Sequence, residues 1–199
     1  MMKRLQSHMT WIWGFSIVGV WVFLATKLDQ SILETQISRD LVIYGAFKGR
    51  DLSLENAWRL LASQWLHVKF PHMMFNAVVI GLLGTALHKR TGAAFVLLVG
   101  LGGGALGQYS SALAYPSAFI SGASQAYLAL AGATILLADR KQAAWWIAIF
   151  GVSVAVALDV FVSSHGTIKI AHSTAFAVGL IAAAILLTFD PARPKPIPS

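Results

Sequence analysis

The sequence predicts an all-α, polytopic membrane protein, a bundle of six transmembrane helices in a single domain over residues 1–199. Three observations lead there. Of the 199 residues, 57% are hydrophobic and only 12% are Asp, Glu, Lys or Arg, about half the charge of a soluble domain, and the mean hydropathy is +0.68. Uncharged stretches recur at the roughly 20-residue length that crosses a bilayer. The basic residues come in pairs between apolar runs, the layout of membrane-flanking charge, so the net charge of +7 predicts no nucleic-acid partner. A chain this apolar could not hide its surface in water, which excludes an ordinary cytosolic enzyme. With no cysteine there is no disulfide framework, thiolate metal site or cysteine nucleophile.

The spans follow from the gaps between charges. Arg4 to Lys27 encloses 22 uncharged residues and Lys69 to Lys89 encloses 19, giving spans near 9–26 and 70–88. Thr91 to Ala138 runs 48 residues without a full charge, enough for two spans (92–112 and 119–138) around a polar, Pro-containing turn. The fifth, 143–162, contains Asp159. The sixth, 170–189, is ended by Pro191, Pro194, Pro196 and Pro198. Lys3-Arg4, Lys89-Arg90, Arg140-Lys141 and Arg193/Lys195 then share one side, which predicts cytoplasmic termini. No small-x-small cleavage site follows the first apolar stretch, so it reads as a retained span rather than a signal peptide.

The outer loop, about 27–69, is more than a linker. Leu54, Ala57, Trp58, Leu61 and Trp65 recur at helical spacing, and Asp51 or Ser53 can cap the segment. This predicts an interfacial helix in the headgroup layer. The alternative is a small cap with its own mini-core.

Polar side chains inside a bilayer each ask for a reason. Three sets stand out: His67-x4-His72-x3-Asn76 entering the second span, Gly122-Ala123-Ser124 opening the fourth, and Ala171-His172 opening the sixth. Spans two, four and six all begin at the outer face. Ser124, His172, His72 and Asn76 therefore share one shallow depth, roughly 5 to 10 Å down at about 1.5 Å per residue. A serine and a histidine there form a nucleophile and its general base. An amide and a second histidine supply donors for a developing oxyanion. A lone serine in a span more often bonds its own backbone, and Asn76 alone would read as interhelical glue; the conjunction carries the prediction.

These residues also resemble the rhomboid family of intramembrane serine proteases. The match runs from Trp58 to Leu187: Trp58-Arg59; His67; His72-Met-Met-Phe-Asn76; His88-Lys89-Arg90-x-Gly92; Gly122-x-Ser124 with Ala129-Leu130-x-Gly132; and Ala171-His172-x6-Gly179. The resemblance implies a Ser124–His172 dyad, with the oxyanion held by the Ser124 N–H and the side chains of His72 and Asn76. Two positions depart from the family pattern. Gln125 stands where a glycine usually follows the nucleophile. Leu128 stands where an aromatic residue usually stacks on the base, leaving Tyr127, one place early, as candidate support for it. The family's sixth-span GxxxG is reduced to Ala175-x3-Gly179.

The expected function is an intramembrane serine endopeptidase cutting transmembrane segments of other membrane proteins. A non-catalytic membrane-protein binder or chaperone and a small proton-coupled transporter are the alternatives. No cofactor or metal is expected: His67, His72 and His172 are the candidate ligands, but His67-x4-His72 with no nearby carboxylate on the same face is a poor zinc site and no HExxH is present. The partners expected are transmembrane substrates and the lipid bilayer, in a bacterial inner membrane. Asp159 is expected to face the bundle or reach the interface, and is not assigned as a third catalytic member. The small-residue stripes Gly100/Gly104, Gly103/Gly107 and Ala171-Ala175-Gly179-Ala183 predict packing faces.

Overall fold

Backbone polar groups in lipid must be satisfied within the chain, so apolar segments of this length fold as helices. The computed structural model describes residues 2–163 and 166–189 and is 76% helical. Its long helices are α1 (Met2–Lys27), α2 (Phe70–Thr91), α3 (Ala93–Ala114), α4 (Ser124–Leu137), α5 (Ala143–Val162) and α6 (Ile170–Phe189). Single π turns interrupt α3 at Leu98–Gly102 and α5 at Leu158–Val162. Five helices are long and apolar enough to span a bilayer, α1 from His8 onward; α4 is the shorter exception. The prolines expected to end α6, and Arg193/Lys195, lie outside the described residues.

α4 is the centre of the bundle. It packs against α2, α3, α5 and α6, and every residue from Ser124 to Thr134 is buried. Its 14 residues reach only about 21 Å, short of a bilayer core of about 30 Å. The fourth span was expected to begin near 119, but residues 119–123 are not helical. Phe119–Ile120 (β2) instead pairs antiparallel with Phe47–Lys48 (β1) of the outer loop. The Arg50 N–H donates to the Pro116 carbonyl at 2.8 Å, and the Gly122 N–H donates to the Ser63 carbonyl at 2.9 Å. The chain thus descends into the bundle as a tethered loop before α4 starts. Gly122 makes the last bend at φ +109°, a conformation that side chains rarely tolerate.

The loop before α2 has the expected mini-core, but the expected helix is broken. Leu41, Ala46 and Leu66 pack with Leu24 of α1 as a small separate core. The helix predicted over 54–65 is broken into a 3₁₀ turn (Leu54–Asn56), one α turn (Arg59–Ala62) and another 3₁₀ turn (Ser63–Trp65). The cause is local. The Asn56 side chain accepts from the Ser53 N–H at 2.8 Å and donates to the Asp51 carbonyl at 2.7 Å, competing with helical pairing. The change of winding also separates residues expected on one face. Leu54, Trp58 and Leu61 stay exposed, whereas Trp65 turns inward, donating to Ser16 Oγ at 2.8 Å beside Trp13. Arg59 donates to the carbonyls of Val42 and Ala46 at 2.5 and 2.7 Å, stapling the loop closed.

The small-residue stripes pack as the sequence predicts. Ala171, Ala175, Gly179 and Ala183 are all buried in α6, and α4 is the helix against which α6 packs most extensively. The two α3 pairs face different neighbours. Gly103 and Gly107 approach Ala129 and Gln125 of α4 and the carbonyls of Ala175 and Ala171, while Gly100 and Gly104 approach Trp13 and Gln64.

Candidate active site

The N-terminus of α4, the third residue of α6 and the C-terminal turn of α5 converge at one level. Ser124 opens α4, so its N–H is among the helix's first donors, which have no intrahelical acceptor. Its Oγ lies 2.9 Å from Nε2 of His172, and both side chains are buried. Nδ1 of His172 lies 2.6 Å from Oδ2 of Asp159. The same oxygen accepts the Lys169 N–H at 2.9 Å, and Lys169 Nζ pairs with Oδ1 at 3.3 Å. Asp159 is 0% exposed. These contacts align serine, imidazole and carboxylate in one chain of short hydrogen bonds.

Asp159 faces the bundle, one of its two expected placements, and lies directly against the imidazole. The signal was present in the sequence: Ala148, Gly151, Ala155 and Asp159, all buried, form one stripe at helical spacing, and Asp159 continues it at the C-terminal end of the helix.

His67 is a second residue whose role the sequence reading missed. Its Nε2 accepts both the Ala123 N–H at 3.2 Å and the Asn76 amide at 2.8 Å, and its Nδ1 lies 3.4 Å from the Trp65 carbonyl. Two donors on Nε2 assign the proton to Nδ1 and the amide nitrogen of Asn76 to the contact. His67 thereby ties the residue before Ser124 to α2. Burial, aided by nearby His72, pushes His67 down to about 3. The folded protein therefore holds it neutral, while the unfolded chain takes up a proton near 6.5. Its contribution to stability is intact above about 6.5 and declines as the pH falls toward 3. His67→Leu orphans two buried donors, at roughly 1–3 kcal/mol each. Its expected effects are a lower unfolding temperature in detergent and a shallower loss of stability between pH 6.5 and 4; an unchanged unfolding temperature would count against the hub.

Asn76 is fully buried and its Oδ1 has no hydrogen-bond partner, but its amide carries a second N–H that His67 does not use. His72 meets His67 edge-on at 5.7 Å between ring centroids. A cavity of about 280 Å³ joins His72, Ser124, Tyr127, Asp159, Lys169 and His172, room for several waters at about 30 Å³ each. Tyr127 lines it, but its ring packs against Phe75 at 5.6 Å and its hydroxyl donates to the Gly151 carbonyl at 3.3 Å. Leu128 and His172 share the wall of a neighbouring, mainly apolar cavity of about 190 Å³. Gln125 fits because it packs on Gly107, where α3 has no side chain; its Oε1 lies 3.3 Å from Ser124 Oγ.

Fold and site together define a multi-pass helical membrane protein with a serine–histidine pair at the N-terminal end of its central helix. The chain belongs to the rhomboid family: the family model described as "Rhomboid domain" matches residues 54–189. It is similar to "Rhomboid protease GluP" of Bacillus subtilis (strain 168), 29% identical over 137 residues that make up 67% of this chain and 26% of that protein. It is also similar to "Putative rhomboid protease YdcA" of the same organism, 31% identical over 137 residues, 67% of this chain and 64% of the relative. The matched part thus spans about a quarter of the first relative and just under two thirds of the second.

Proposed function

We propose that this protein is an intramembrane serine endopeptidase that cleaves transmembrane segments of other membrane proteins. The observation that carries the reading is the 2.9 Å contact between Ser124 Oγ and His172 Nε2 on the wall of a cavity that His72, Asp159 and Lys169 also line. Ser124 is the nucleophile and His172 the general base. As Oγ bonds to the scissile carbonyl carbon, its proton passes to Nε2 and the carbonyl π pair moves onto oxygen. The Ser124 N–H, the free N–H of Asn76 and the His72 ring are the donors for that oxyanion. Nε2 then protonates the departing amine as the C–N bond breaks, and water repeats the sequence on the acyl-enzyme.

A substrate helix hides its carbonyls in its own hydrogen bonds, so segments with Gly, Pro or other weak helix formers near the outer membrane edge are the preferred substrates. The reading includes cytoplasmic termini and a bacterial inner membrane, from the one-sided basic pairs. The experiment is co-expression with a panel of single-span reporters, beside fluorophosphonate labelling in detergent. Labelling and cleavage that both require Ser124 support the protease. A folded wild type that neither labels nor cuts points to a binder.

A further inference from the structure

The contact of His172 Nδ1 with a buried carboxylate lies outside the Ser–His pair proposed above. We infer that Asp159 is a positioning residue for that pair, completing a serine–histidine–aspartate relay whose carboxylate is held by Lys169. The inference rests on the proposed protease reading and deepens it.

The geometry supports the relay in three ways. The Nδ1–Oδ2 separation of 2.6 Å is at the short end for a charge-assisted hydrogen bond. An acceptor on Nδ1 selects the tautomer whose free Nε2 faces Ser124 Oγ, the form able to take a proton. The carboxylate is itself fixed, since Oδ2 also accepts the Lys169 N–H and Oδ1 pairs with Lys169 Nζ. The two contacts from Lys169 hold the carboxylate in one orientation. During attack the serine proton moves to Nε2, the Nδ1 proton stays on the ring, and Asp159 remains ionised beside the imidazolium. Leu128, standing where an aromatic residue would brace the ring, gives no directional contact to His172; Asp159 supplies one.

A purely structural role would be to close the turn between α5 and α6 by accepting the Lys169 N–H. Asp159→Asn separates the two roles. Oδ2 serves both the Lys169 N–H and Nδ1, so the Lys169 N–H selects the amide oxygen for that place, which keeps both contacts and removes the charge that stabilises the imidazolium. The expected result is a fall of at least about 10-fold in the maximal fluorophosphonate labelling rate, with half-saturating probe concentration and unfolding temperature close to wild type. Asp159→Glu restores most of that loss.

A measurement on the wild type does not depend on how the variants fold. With ¹⁵N-labelled histidine in micelles, the His172 signals, assigned by their loss in His172→Gln, should report a protonated Nδ1 and an unprotonated Nε2, with a strongly downfield Nδ1 proton. Asp159→Asn labelling within threefold of wild type, or a wild-type His172 protonated on Nε2, overturns the relay while leaving the protease reading intact. A folded wild type that takes no probe and cuts no reporter overturns both.

Discussion

Ser124→Ala and His172→Ala are each expected to lower reporter cleavage at least about 10³-fold, and the double variant should lose no more than the worse single one. Nucleophile and base act as one unit, so removing either leaves little for the other to do. The two variants should part company in stability. Ser124→Ala removes one hydrogen bond and a hydroxyl from a cavity that already admits water, a change of about 1 kcal/mol or less. His172→Ala strips the imidazole from Asp159, whose carboxylate is 1% exposed and keeps Lys169 as a charged partner. A hydrogen bond to a charged group contributes about 1.5–3 kcal/mol. Equal losses of activity with unequal unfolding temperatures in detergent would be the signature. Activity retained in Ser124→Ala would remove serine from the mechanism altogether.

Most of the architecture was legible because lipid leaves the chain few choices. Charge gaps located α2, α5 and α6 almost to the residue, since each must run helical for the length of its uncharged stretch. The start of α4 was not legible in that way. Residues 119–123 are as uncharged as the helix they precede, and only the pairing with Phe47–Lys48 and the bend at Gly122 hold them out of it. Those partners lie some 70 residues upstream, beyond any local pattern. The consequence bears on the site: Ser124 sits at a helix N-terminus, where its N–H has no intrahelical acceptor, rather than a turn or two into a span.

The site divides the same way. Ser124, His172, His72 and Asn76 could be brought to one depth by counting residues from the outer face. Asp159 falls at the same depth by that count, on the Ala148-Gly151-Ala155 stripe, but an acid in a span has more than one way to lower its cost, so the pattern alone does not pair it with the imidazole. His67 had no such signal. Its two donors come from Ala123 and Asn76, and only the folded loop brings them to one nitrogen.

Gly179→Leu is expected to disable both folding and activity, because the contact it breaks is backbone on backbone. A Cβ at Gly179 would overlap the Ala129 carbonyl oxygen and come within 3.0 Å of the Ala133 nitrogen. Gly132 of α4 repeats the arrangement in reverse against the Phe176 carbonyl. No rotamer relieves a clash with main chain on both sides, so α4 and α6 must separate. Overpacking commonly costs about 1–3 kcal/mol, and the upper end or beyond applies where neither wall is a flexible side chain. His172 lies seven residues up the same helix, about 10 Å away, and its ring must stay within hydrogen-bonding reach of a serine on the helix being pushed off. A displacement near 1 Å can cost roughly 10²-fold in rate. Gly179→Ala should show the same defects in milder form. Ile181→Leu, two positions on at a side chain 59% exposed, should show neither. Full activity of Gly179→Leu in detergent would mean that the stripe is not the surface that registers α6 on α4.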